Sequence, residues 1–482
     1  MTSRDESGWP AIAATGAKQA AHTLSFIVIG AGVSGLGAAV ALRRTGHRVT
    51  LVESMDGLDL APEHARGLRL PPNMTKILNR WGYGERLDKI GIATQQIGFI
   101  NLRSGEILGT HRLVRDLVRD AGGEFFLTEH HRLLALLLEI ARELNADIRF
   151  GCRVAQVGAE GNSVILESGE TLTADVVVGA DGVCGQSSIA VEPNHARTQE
   201  EAGFMTYNSV ISADKIRANP ELHQFILDVG ETRIANWFWF GDQCSAMAYP
   251  TNAEGECALV IWLPDDGASD PWGDIADTGV VESAVAALQA EPRLRKLASL
   301  APMTRVKTVS RPPLQECVHP SNHMLVIGEA AHPAPRGLYF GPSMSLEDAA
   351  TLGKLFSHAL DDAQIPSFLN AFTELRRPRC ARMLAIDNES LSYITMSGPT
   401  AEERDIEFRR RTAAGQDALS PAEDDTTGVV ERMWDDNREM FGYDTEDASD
   451  GWWLATGLLA EHARGIDLSA SIKLGEVSVA EE

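Results

Sequence analysis

Two glycine-bearing segments, far apart in the chain, carry residues whose types and spacing point to chemistry. The first is Gly30-Ala31-Gly32-Val33-Ser34-Gly35. In such a turn Gly30 permits the tight bend, Gly32 lets backbone approach a pyrophosphate, and Gly35 lets the next helix pack close to the preceding strand. Free N–H groups at that helix start, and the positive end of its dipole, favour phosphate. Glu53 follows the apolar run Val49 to Val52, where a strand-end carboxylate can accept both hydroxyls of a ribose. The second segment is Leu325-Val326-Ile327-Gly328-Glu329-Ala330-Ala331-His332-Pro333, closing at Gly341-Pro342-Ser343-Met344. Here a buried strand delivers Glu329 to its carboxyl end, where ligands gather in parallel sheets. Pro342 suits the first turn of a helix, whose start stabilises negative charge. There is no Ser-His-Asp arrangement in a hydrolase context, and no Asp or Glu stands out as a general base. These residues are suited to holding a dinucleotide that does the chemistry itself.

The elements that must position them follow from apolar patterning. Phe26 to Ile29 is a short apolar run expected to be a buried strand, Ser34 to Arg44 a helix, and Val49 to Glu53 the next strand. That strand–turn–helix–strand unit is the context the glycine pattern requires. A helix over Leu133 to Leu144 leads into strand-like Asp147 to Val154, and a hairpin turns at Ser168-Gly169. Asp175 to Gly182 reads as another buried strand. From Phe204 to Leu263 the texture changes to strand-like pieces separated by turn residues, expected to form a mostly antiparallel sheet. Helical Val280 to Leu300 follows, then the strand Met324 to Ile327 and a helix over Ser343 to Leu360. Pro421 to Thr427 reads as a loop, and Val429 to Met440 and Trp452 to Arg464 as helices. The expected division is a tail over 1–23, a discontinuous nucleotide-binding domain over 24–190 and 305–395, an inserted domain over 191–304 and a helical region over 396–482.

Bulk properties narrow the partners. A net charge of −25 argues against nucleic acid and acidic membrane surfaces, both polyanions. No apolar run approaches a membrane span, and the first residues, with Asp5 and Glu6, lack the form of a signal peptide. The 6 cysteines are scattered without close pairs, which fits reduced thiols and a cytoplasmic protein. His130 and His131 are adjacent and so point apart, with no third ligand evident, and no metal site is expected.

Taken together the motifs resemble those of the class A flavoprotein monooxygenases, nearest the salicylate-hydroxylase-like aromatic hydroxylases. The resemblance covers about Leu24 to Asn388, with a weaker echo at Met440-Phe441-Gly442-Tyr443-Asp444. Besides the two segments above it rests on Gly67-Leu68-Arg69-Leu70-Pro71-Pro72-Asn73, Gly179-Ala180-Asp181-Gly182-Val183, Arg311-Pro312-Pro313-Leu314 and Ser345-Leu346-Glu347-Asp348-Ala349-Ala350. It implies an α/β, Rossmann-like FAD-binding fold with an inserted, mostly antiparallel substrate-binding sheet and a helical C-terminal region. It implies FAD contacts at Gly30, Gly32, Gly35, Glu53, Gly67, Asp181, Gly328, Glu329, Gly341, Pro342, Ser343 and Met344. The adenosine ribose would meet Glu53, the ribityl chain Glu329, and the flavin ring the loop around Gly341. NAD(P)H would be a transient co-substrate, and O₂ would react by way of a flavin C4a-hydroperoxide.

Several positions depart from the family pattern. Glu329 stands where the family has the shorter Asp, and Arg336 where it has a proline beside the flavin. Strict counting places His130 at the position of a family arginine, and a local slip would let Arg132 serve as the cofactor contact instead. Thr206-Tyr207-Asn208-Ser209 replaces an aromatic-Arg-Gly element, and Asn208 cannot neutralise a carboxylate. Trp237-Phe238-Trp239-Phe240 alternates as a strand does, so Trp237 and Trp239 are candidates for an aromatic pocket wall or for core. With Asn208 and Arg336 they make up the expected substrate pocket. The expected function is therefore an FAD-dependent monooxygenase, monomer or homodimer, that hydroxylates or epoxidises a bulky, non-carboxylate aromatic or natural-product substrate. The alternative is a cyclase or isomerase on the same fold that closes a ring without inserting oxygen; a binding protein without catalysis is the third reading.

Overall fold

The computed structural model describes residues 16–58, 64–94, 96–112, 122–183, 185–193, 200–227, 236–265, 274–276, 278–310, 312–335, 337–419 and 429–464. Short apolar runs make its first sheet. Its five parallel strands lie in the order Met324–Val326, Val176–Gly179, Ser25–Ile29, Arg48–Val52, Asp147–Arg149. Covered on both faces, such strands need no polar alternation. The helix Val33–Arg44 is buried along its whole length, crossing the helix Phe340–Phe356 at small residues. A Cβ on Gly37 would lie 3.0 Å from Ala349 Cβ, and one on Gly353 would lie 2.7 Å from Ala41 Cβ. Close crossing of these two helices brings both glycine segments to one place.

The second sheet has eight strands in the order Asp274–Ala276, Met303–Ser310, Glu200–Ile211, Cys257–Pro264, Ser245–Pro250, Asn236–Phe240, Gln96–Asn101, Ile107–Arg112. All its pairings are antiparallel except Asn236–Phe240 with Gln96–Asn101. One face carries a core of Met205, Tyr207, Trp237, Trp239, Leu259 and Ile261, packed with residues of the helices Ala213–Arg217, Pro220–Leu227, Thr278–Ala287 and Pro292–Ala298. The opposite face, with Phe238, Met247, Tyr249, Val260 and Trp262, packs on Ala334, Phe340 and the 30-residue helix Ile365–Ile394.

Four expectations are adjusted. Residues 96–112 and 303–310 join the second sheet, outside or across the expected limits 191–304. The expected strand Asp147 to Val154 divides, with Val154–Val157 pairing instead with the hairpin strand Ser163–Leu166. The helix expected over Val280 to Leu300 is two helices, broken where Gln289 takes φ 56°. Within the expected tail, residues 16–23 are tied down: Ala20 N–H donates to Thr45 O and His22 N–H to Ala359 O, each at 2.9 Å. The 421–427 loop, Arg311 and Arg336 lie outside the described residues. The five described cysteines are free, and no described helix is long and apolar enough to cross a membrane.

Candidate active site

The glycine turn is built against its neighbours at two of its three glycines. Gly30 has φ 103°, and a Cβ there would stand 2.6 Å from the Ala180 carbonyl oxygen; one on Gly35 would stand 1.9 Å from that of Gly30. Gly32 differs: a Cβ on it would meet nothing of the chain within 4 Å and would project into the cradle over the turn. Glu53 closes the turn from the strand end. Its Oε2 accepts the Ala31 N–H at 2.7 Å, and its Oε1 accepts the Met55 N–H at 2.8 Å and the Ser54 hydroxyl at 3.0 Å.

The second segment meets the first at Gly328, whose φ is 62°; a Cβ there would lie 2.5 Å from Ser34 Oγ. A buried charge network holds it. Asp348 Oδ2 accepts from Gly328 N–H at 2.9 Å and from His332 Nε2 at 2.5 Å, while Arg376 Nε donates to Asp348 Oδ1 at 2.7 Å. Arg376 and Arg379 also bracket Glu347, at 2.7 and 3.0 Å, and Asn73 Nδ2 donates to the same carboxylate at 2.7 Å. Burial works against each charge, yet His332 and Arg376 together hold the Asp348 carboxyl down at about 2. Burial likewise opposes the charged His332, but Cys380 and Asp348 outweigh it and raise the imidazole well above its ordinary range. The network anchors the strand end that carries Glu329.

One cleft of about 310 Å³ runs from the glycine turn to the second sheet. Gly32, Ser34, Gly67, His130, Glu329, Gly341, Pro342 and Ser345 line one part; Thr206, Asn208, Tyr249, Val260 and Val306 line the other. Asn208 pairs in register with Val260 and Thr304, and Thr206 with Trp262 and Val306, so alternate residues of the strand present one face. Asn208 Oδ1 is buried without a hydrogen-bond partner. Glu329 bends toward the helix start: its Oε1 lies 3.7 Å from where a Cβ on Gly341 would sit.

The structure brings together Gly32, Gly67, Asn208, Glu329, Gly341 and Pro342 on the cleft, with Gly30, Gly35 and Gly328 packed behind it and Glu53 bonded to the turn at Ala31 N–H. Other expected contacts are placed elsewhere. Arg132 is drawn to Glu129 at 3.0 Å and Glu256 at 2.5 Å, and His130 lines the cleft in its stead. Asp181 turns back to accept the Gln186 and Ser187 N–H groups, at 2.8 and 3.0 Å, so that Ala180 and Gly182 reach the cleft. Ser343 and Met344 face inward, Ser343 Oγ donating to Phe340 O and Met344 packing in the core. Trp237 and Trp239 are core, not pocket wall. Trp239 Nε1 donates to Glu291 at 2.9 Å, Trp237 stacks on Phe225, and Phe238 and Phe240 take the other face. The cleft is also lined by Ser34, Arg69 and Ser345, which the motifs contain without a contact assigned to them, and by Arg66 and Tyr249, which lie outside the motifs. Arg69 had a signal, a lone cation in the apolar strand Gly67–Leu70.

These donors suit FAD. The space over Gly32 is open, the Glu53 carboxylate closes the turn from the strand end, and Glu329 lies beside Gly341 on the cleft. Comparison with known proteins agrees. Residues 23–387 match the family model for the FAD binding domain. The chain is 30% identical over 393 residues to the FAD-dependent monooxygenase OpS4 of Beauveria bassiana (strain ARSEF 2860), covering 79% of this chain and 88% of that one. A crystal structure of CtdE in complex with FAD and substrate 4 superposes with a TM-score of 0.73 at 17% identity, over 91% of this chain and all of the other. A salicylate hydroxylase substrate complex gives 0.67 at 18%, over 89% and 97%. The chain therefore belongs to the FAD-binding-domain family of flavoproteins and is an FAD-dependent monooxygenase.

Proposed function

We propose that the enzyme uses NAD(P)H and O₂ to hydroxylate or epoxidise a bulky aromatic or natural-product substrate that carries no carboxylate. The observation behind this reading is the single cleft that joins the glycine turn, the Glu329–Gly341 pair and the Asn208 face of the second sheet. Gly32, Glu53, Glu329, Gly341 and Pro342 would hold FAD. Bound FAD, reduced by NAD(P)H, would supply the activation of O₂, one atom of which would enter the substrate while the other leaves as water. The chain's part is binding, orientation and exclusion of water. The apolar walls Val260 and Val306 fit a large planar ligand, and Asn208 offers it an amide rather than a cation. Arg69, also on the wall, is engaged by the Gly337 carbonyl and the Tyr339 ring.

The test is direct. Purified protein is loaded with FAD, and NAD(P)H oxidation, oxygen uptake and product mass are followed with phenolic, polyketide and alkaloid candidates. Substrate-stimulated NAD(P)H oxidation with a product heavier by one oxygen is expected. Product formed without NAD(P)H or O₂ would replace oxygenation by ring closure, and preferential turnover of a benzoate would overturn the substrate class.

A further inference from the structure

The helix Ile365–Ile394 packs an apolar stripe onto the second core through Cys380, Met383, Leu384, Leu391 and Ile394, and fully buried Asp387 lies within that stripe. Its oxygens accept two backbone N–H groups, Oδ1 from Tyr339 at 3.4 Å and Oδ2 from Phe340 at 3.1 Å. These are the residues at the start of the helix Phe340–Phe356, whose first N–H groups have no partner within the helix. From the other side Arg69 donates to the carbonyl of Gly337, and its guanidinium carbon lies 3.8 Å from the centre of the Tyr339 ring. Gly337 is itself seated on the second sheet, where a Cβ would come within 3.0 Å of Trp262 and 3.2 Å of Val260. Residues 337–340 are thus held from three elements just before Gly341 and Pro342 reach the cleft.

We propose that Arg69 and Asp387 are positioning residues that set the conformation of residues 337–342, and with it the wall that FAD meets. This rests on the reading of Gly341 and Pro342 as flavin-facing. Besides each other, Tyr339 of the segment and Tyr249 of the second sheet are the titratable groups facing the pair. Burial raises both phenols, which stay neutral. Burial also pushes the Asp387 carboxyl up to about 7, although the Phe340 and Tyr339 amides and Arg69 pull it down. Asp387 is therefore the member of the group that changes charge near neutrality, and the hold on the segment weakens as it takes up a proton.

Hydrogen exchange of the full-length protein, with and without FAD, tests this through the Tyr339 and Phe340 amides. Asp387→Ala and Arg69→Gln should each lower protection there at least tenfold, while the helix Val33–Arg44 keeps its protection as an internal control. Asp387→Asn retains an acceptor oxygen and should restore most of it. Because the two amides and Arg69 favour the carboxylate, wild-type protection, corrected for intrinsic exchange, should rise as pH climbs above about 7, and the Asn variant should be flat. FAD affinity, by fluorescence quenching, should fall at least tenfold in the Ala and Gln variants. Unchanged protection at 339 and 340 in the folded Arg69→Gln and Asp387→Ala proteins, with no pH step in the wild type, would overturn the proposal even if FAD binds. The predicted exchange pattern with unaltered FAD affinity would leave the clamp standing and refute the flavin-facing reading.

Discussion

A single methyl group separates the two kinds of glycine in the first turn. At Gly35 it would meet backbone at 1.9 Å, a collision that only a shift of the helix could relieve. Gly35→Ala should therefore lower the stability of the apoprotein by about 1–3 kcal/mol or more, read by denaturant unfolding. At Gly32 the backbone is already in an ordinary region, φ −75° and ψ −174°, and the methyl meets no chain atom. Gly32→Ala should leave apoprotein stability within about 0.5 kcal/mol while weakening FAD at least about tenfold, or 1.4 kcal/mol. Equal FAD affinity in the two proteins would move the pyrophosphate away from Gly32. Glu329 raises a related question of reach. Its carboxylate lies beside Gly341 although it is a methylene longer than the family acid. Glu329→Asp should keep or tighten FAD binding in a fluorescence titration; a large loss would mean the pocket is rebuilt around Glu.

At the scale of elements, the helix Phe340–Phe356 is joined to the strand end and to the helix Ile365–Ile394 by five buried charged groups. Removing one partner of a buried pair leaves the other unpaired, so Arg376→Met should cost about 3–5 kcal/mol at pH 7. Asp348 is depressed to about 2, so its contribution is present above the ordinary carboxylate value of 3.8 and is lost as pH falls through the folded value. In the Met variant Asp348 and Glu347 each lose one of their cations and take up protons more readily, so the loss should shrink on acidification. Urea unfolding at pH 7 and pH 4 reads the difference; a constant gap would show that Arg376 acts through packing alone. This network also marks where the sequence stops being legible. Strand, turn, helix and acid from Phe26 to Glu53 could be read because the constraints are local. Arg376 and Arg379, in the run Arg376-Arg377-Pro378-Arg379, look like a solvated helix face until Glu347 and Asp348 are brought against them. Alternation divided Trp237 and Trp239 from Phe238 and Phe240, but that both pairs go into core depended on elements distant in the chain that cover each face. Arg132 and His130 share a helix start, and the choice between them was made by Glu256, distant in the chain. Asp387 was hidden in the same way, an acid in an apolar stripe whose partners are backbone groups of another segment.

At the scale of the whole molecule, the second sheet belongs to no single stretch of chain. Its strands Gln96–Asn101 and Ile107–Arg112 come from within the nucleotide-binding part and extend the sheet beyond Asn236–Phe240. Phe99 stacks on Phe240 with ring centres 5.5 Å apart, and Phe408 of the C-terminal region closes on the same pair at 4.9 and 6.0 Å. Excising residues 200–310 would therefore strip the apolar strand Asn236–Phe240 of its neighbour and leave an unpaired edge, a template for aggregation. The excised piece should be insoluble, or lack near-UV circular dichroism, although it contains most of the sheet. The intact protein should instead unfold in one transition, because Val260, Gly341 and Gly32 line a common cleft. Saturation with FAD at about a hundred times its Kd should raise the stability of that whole unit by about 2.7 kcal/mol. A soluble excised fragment with a dispersed amide spectrum, or a second transition in the intact chain that FAD does not shift, would show that the sheet folds alone. The cleft would then be an interface between two bodies, and the hold of Arg69 and Asp387 on residues 337–342 would have to be re-examined as a contact that opens.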